Sequence, residues 1–123
     1  MGQVLRSVVL FLAALSVLAV AAPAQAATVD ECQATIGELR DAASRATFTG
    51  QNAGKDQAGL VGKLDTATAK LEQGKTADAL QALTQFRDKV TTLNAQGKLA
   101  PSDAELLLIG SNDAIACVES LPA

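Results

Sequence analysis

The chain holds two cysteines, Cys32 and Cys117, which stand 85 positions apart in 123 residues. A bond between them would enclose most of the chain in one loop, so whether they pair constrains the fold more than any other feature. The answer turns on the compartment, because disulfides persist in oxidising surroundings and are rare in the cytosol.

The first 26 residues indicate that compartment. Arg6 supplies a positive start, Val8 to Val20 is apolar with Ser16 its one polar residue, and Ala24-Gln25-Ala26 is a small-x-small cleavage pattern. Residues 1–26 therefore read as a signal peptide removed after Ala26. The apolar stretch from Val8 to Ala22 is about 15 residues, short of the roughly 20 a helix needs to cross a bilayer. Cys32 follows Val29-Asp30-Glu31 rather than the apolar stretch, which argues against a lipid anchor, and Glu119 to Ala123 offers neither an apolar tail nor a basic cluster. The expectation is a soluble, secreted product with no stable membrane insertion after cleavage. In that setting Cys32 and Cys117 are expected to form one structural disulfide. Closing so long a loop stabilises the fold by about 4–5 kcal/mol in the chain-entropy model. Neither cysteine lies in a C-x-x-C setting that would depress its pKa, so a redox or metal-binding role is not expected.

Residues 27–123 carry nine Lys plus Arg against thirteen Asp plus Glu, a net charge of −4. Such a surface repels nucleic-acid phosphates and anionic lipid. The cations are also scattered, with Arg87 and Lys89 flanking Asp88, so nucleic acid is not an expected partner. The chain has no histidine, no Cys/His cluster and no D-x-D-x-D loop. It therefore lacks the usual means of proton transfer near neutral pH and of zinc or calcium ligation. No cofactor, metal site or catalytic residue is expected. Asn52, Asn94 and Asn112 lack Ser or Thr two residues on, so no glycosylation acceptor is present.

Four helical stripes follow the signal. Val29, Cys32, Ile36, Leu39, Ala43 and Ala46 step by three and four, with Thr28 and Glu31 placed as a capping box. That helix is expected to end near Phe48, before the turn formers Thr49 to Gly54. Asp41 and Arg45 are spaced for an i,i+4 ion pair on its exterior. The second stripe, Leu60, Leu64, Ala67 and Leu71, stops at Gly74. Gly59 and Gly62 within it either admit a close neighbouring backbone or fray the helix start. The third stripe, Ala79, Leu83, Phe86, Val90 and Leu93, begins after Thr76 as N-cap and ends before Gly97. Only Lys75 separates Gly74 from that cap, which forces an antiparallel αα-hairpin.

In the fourth helix Ser102 and Glu105 are spaced as a second capping box after Pro101. Its apolar set is Leu106, Leu107, Leu108 and Ile109, then Ile115, Val118 and Leu121. Gly110 to Asp113 is a candidate kink. Four consecutive large apolar residues cannot share one face, so Leu106 to Ile109 is either covered on several sides or leaves a patch open to a partner. The sum is an all-α fold, a small four-helix bundle whose first and last helices are tied by the disulfide.

The second hairpin carries a family pattern: Lys63-Leu64, Ala67, Leu71 and Gly74, then Ala79, Leu83, Phe86 and Val90, then Gly97-Lys98-Leu99 and Ala104. Over Leu60 to Leu108 this resembles the FIMAH domain, a small helical module of exported and surface-associated bacterial proteins. The cysteine pair and the near absence of other domains depart from that family. The resemblance implies a non-catalytic module at or outside a bacterial cell surface, binding a protein or cell-envelope component, with no catalytic residues to carry over.

Two other functions stand as alternatives to a binding module. An Ala-rich bundle interior can hold a small apolar ligand, which would make the chain a carrier. A hydrolase using carboxylates alone would need two acids flanking a bond, and Asp30/Glu31 and Asp103/Glu105 are the close acidic pairs. Both pairs sit in first helical turns, where capping and the helix dipole account for them.

Overall fold

A computed structural model describes residues 27–122, so the signal peptide assigned to 1–26 lies outside the described residues. Four helices follow one another: α1 Val29–Arg45, α2 Ala53–Glu72, α3 Thr76–Ala95 and α4 Pro101–Glu119. Each packs on its two neighbours, α1 on α2 and α4, α3 on α2 and α4, which closes a four-membered antiparallel ring.

The helix α1 starts as its sequence dictates. The Glu31 amide donates to Thr28 Oγ1 at 3.1 Å, and the Thr28 amide donates to Glu31 Oε1 at 2.9 Å. Cys32, Ile36, Leu39 and Ala43 then line the core, whereas Val29, the first residue of the expected stripe, is 39% exposed. The helix ends at Arg45, three residues before Phe48, because Ala46 turns to an extended conformation. Gln57 on α2 supports that end: its side-chain amide donates to the Ala43 and Ser44 carbonyls at 3.0 and 2.9 Å, and the Ala43 carbonyl also accepts the Ala46 amide.

Phe48 pairs instead with Leu99 in an isolated antiparallel β-bridge between the α1–α2 and α3–α4 connections. Two backbone bonds hold it: the Thr49 amide donates to the Lys98 carbonyl at 2.9 Å and the Ala100 amide to the Thr47 carbonyl at 3.1 Å. At the opposite end Cys32 and Cys117 are bonded, with Cα atoms 5.6 Å apart. Disulfide and bridge thus clasp the two ends of one bundle.

The α2–α3 hairpin is antiparallel, and its large residues Leu60, Leu64, Leu83, Phe86 and Val90 are fully buried. Its turn leaves no room for the expected Thr76 cap. The Gly74 amide donates to the Leu71 carbonyl and the Lys75 amide to the Lys70 carbonyl, a Schellman closure with Gly74 at positive φ. Lys75, without a capping side chain, is then the N-cap, and Thr76 is already helical. Gly97-Lys98 ends α3 with the same pair of bonds, to Asn94 and Leu93. Gly59 and Gly62 lie well inside α2, and added Cβ atoms there meet nothing closer than 3.9 Å, so neither marks a close backbone approach.

The helix α4 departs further from expectation. Its N-cap is Ala100, and Pro101 takes the first helical position with its φ preset, so the Ser102–Glu105 capping box does not form. The helix runs unbroken through Gly110 to Asp113, with no second helix starting there. Its buried stripe is Ala104, Leu107, Ser111, Ala114 and Val118, while Ile115 and Leu121 are only half-buried. Ser111 can sit in this stripe because its hydroxyl donates to the Leu108 carbonyl at 2.9 Å, which removes the cost of a bare polar group.

Candidate functional site

The small residues of α4 determine what lies on its outer surface. At Gly110 a Cβ would lie 2.7 Å from Leu39 Cδ1, so glycine allows α1 and α4 to approach closely. The phase that points Ala104, Leu107, Ser111 and Ala114 inward points other residues out. Leu106 is 61% exposed and Ile109 53%, and they stand one turn apart on the same face. Of the four residues expected as a partner surface, Leu107 is instead buried at 1%, and Leu108 is half-buried against the core. The run of four splits because a helix turns about 100° per residue, so consecutive side chains cannot share one direction.

Two shallow depressions flank Leu106 in the groove between α1 and α4. One, of about 230 Å³, is bordered by Ala42, Arg45, Asp103 and Leu107. The other, of about 210 Å³, is bordered by Thr35, Glu38, Leu39, Gly110 and Asp113. Leu106 and Ala42 border both, so the two depressions adjoin across this pair and together make a furrow along the α1–α4 groove. Arg45 lines this furrow and does not form the expected pair with Asp41. The ion pair on α1 is Arg40 to Asp65 of α2, Nε to Oδ1 at 2.7 Å. Asp65, by hydrogen bond and charge, raises the Arg40 pKa above its ordinary value.

The acidic pairs singled out from the sequence are occupied structurally in part. Glu31 closes the α1 capping box, and Asp103 Oδ2 accepts the Thr47 amide at 2.8 Å, tying the start of α4 to the loop after α1. Among the described residues no cluster of three or more His, Cys, Asp or Glu is placed to hold a metal ion, and no helix is long and apolar enough to cross a membrane.

Two further depressions of about 330 Å³ each open to solvent. One lies between α2 and α3 and is polar, with Lys70, Asp78, Gln81 and Gln85 around it. The other lies at the disulfide end, between Val29, Leu71, Leu121 and Pro122. All four are surface features and not chambers between the helices, so none is the enclosed interior site an apolar-ligand carrier would use.

The contribution of α1 to the furrow is not legible in its sequence. Thr35, Glu38 and Ala42 lie off its core stripe and look like ordinary surface. The usable signal was Gly110, a glycine inside an apolar helix, which marks close packing as readily as a kink.

Fold and furrow together define a small disulfide-closed helical bundle with a partly apolar outer face. Comparison of the chain with protein-family models, with curated proteins and with solved structures gave no significant match.

Proposed function

We propose that this chain is an exported, non-catalytic module that works by binding, and that the outer face of α4 is its contact surface. The observation that carries the reading is the pair Leu106 and Ile109: two large aliphatic side chains, more than half exposed, beside the two adjoining depressions. Exposed aliphatic clusters of this kind mark partner sites on small proteins. The disulfide suits an oxidising compartment outside the cytoplasm, in keeping with the signal-like residues 1–26. The FIMAH-like character proposed for Leu60 to Leu108 rests on the order of Leu64, Ala67, Leu71 and Gly74, then Ala79, Leu83 and Phe86, in the sequence.

The test is capture from the producing cell's envelope and medium, run in parallel with the native protein and with a Leu106→Ser, Ile109→Ser variant. Components retained by the native protein and lost by the variant are the expected result. Identical recovery with both proteins removes α4 as the contact surface.

A further inference from the structure

We propose that the furrow between α1 and α4 takes a cationic amphipathic helix, supplied by a partner protein or peptide. This deepens the binding reading above and rests on it. The argument begins with charge. Together α1 and α4 carry eight acidic residues and two basic ones, a net charge of −6, whereas α2 and α3 carry five of each. No Lys or Arg occurs anywhere on α4. The acids are also placed around the apolar pair: Glu105 and Asp113 stand four residues before and after Ile109, and Asp103 stands three before Leu106. On a helix those spacings put a carboxylate within side-chain reach of each aliphatic group. Glu38 closes the rim from α1.

An aliphatic centre whose rim sets Glu38, Asp103, Glu105 and Asp113 against Arg45, the one cation among the lining residues, selects its complement. A second copy of this chain is a poor fit, since a two-fold pairing through α4 would set acids against acids. An extended strand is also a poor fit. A strand gains affinity by bonding its backbone to an exposed sheet edge, and this face is built from helices whose amides and carbonyls are already paired. An occupant that satisfies its own backbone is required, and a helix does so. From Asp103 to Asp113 the furrow follows about 15 Å of helix axis, or three turns. The fitting partner is therefore a helix of at least three turns, with an aliphatic stripe over Leu106 and Ile109 and Lys or Arg on both margins.

The experiment titrates the disulfide-bonded protein into three fluorescein-labelled peptides of about 14 residues: a Leu/Lys amphipathic helix, its Leu/Glu counterpart, and a scrambled Leu/Lys sequence without a helical stripe. Fluorescence anisotropy should show the Leu/Lys helix binding at least about ten-fold more tightly than either control, with affinity falling as salt rises from low to high. Leu106→Ser with Ile109→Ser should weaken binding about ten-fold, and Glu105→Lys with Asp113→Lys about five-fold or more. Circular dichroism melts of both variants should match the native protein, since all four positions are exposed.

Equal binding of the Leu/Lys and Leu/Glu helices, or indifference to both double variants, overturns the proposal. So does a dimer in sedimentation that depends on Leu106 and excludes the peptide. Where the peptides fail but envelope capture still depends on Leu106 and Ile109, the cationic helix is ruled out and the binding reading stands. Where capture is indifferent too, both fall.

Discussion

The α2–α3 hairpin and the α1–α4 pair are both antiparallel helix pairs of similar length, yet they are held together by different means. The hairpin has a three-residue turn, balanced charge and an interface of Leu60, Leu64, Leu83, Phe86 and Val90. The α1–α4 pair has no direct chain connection, a surplus of acid, and Leu39 of α1 seated against Gly110 of α4, a helix whose buried stripe is mostly the small residues Ala104, Ser111 and Ala114. It is joined covalently by Cys32 and Cys117. Where a crosslink and a leucine seated on a glycine hold two helices, their large aliphatic residues are not all needed inside. Leu106 and Ile109 are the ones left over.

The sharpest way to break this contrast is to remove the crosslink. Reduction, or Cys32→Ser with Cys117→Ser, should cost about 4–5 kcal/mol, a loss on the order of 20 °C in melting temperature for a domain of this size. Amide exchange should accelerate more in α1 and α4 than in α2 and α3. A melting curve unchanged by dithiothreitol would mean that the α1–α4 pair holds without its covalent tie. On the other side, Phe86→Ala should cost about 3–5 kcal/mol in chemical denaturation, because it empties the largest buried side chain.

A smaller and more diagnostic effect compares two glycines. Gly110→Ala drives a methyl group into Leu39 and should destabilise by about 1 kcal/mol, the gain in helix propensity only partly offsetting the clash. Gly62→Ala meets nothing within 4 Å inside a helix and should stabilise by about 0.5–1 kcal/mol. If both substitutions shift stability in the same direction, close approach is not what distinguishes α4. Smallest of all, Leu106→Ser with Ile109→Ser should change stability by less than about 0.5 kcal/mol, as expected of exposed positions, even while it alters binding.

The same contrast separates what the sequence discloses from what it conceals. The hairpin is legible because its stripes are unbroken three-and-four steps of large residues and its glycine turn is local. The α1 capping box is legible for the same reason, since Thr28 and Glu31 need only each other. The Thr76 and Ser102 caps failed because a cap depends on how the chain enters the helix. A Schellman closure consumed Gly74 and Lys75, and Pro101 entering from a bridged loop took the first helical position.

Helical periodicity misplaces Phe48 because its partner, Leu99, lies 51 residues away and no periodicity connects them. On α4 the run Leu106 to Ile109 is compatible with several phases. The correct one is marked by Ser111, which looks like surface until its hydroxyl bond to Leu108 is known. The furrow inherits that ambiguity, since only the true phase shows which two of the four aliphatic residues face outward.

The position of the crosslink has a consequence for the fate of a damaged molecule. All three connections between helices, at residues 46–52, 73–75 and 96–100, fall between the bonded cysteines. A protease that clips any one of them once yields two fragments that cannot diffuse apart, and the nicked product migrates as one species until a reductant is added. Two cuts, or one cut and a reducing agent, are needed before any helix is released.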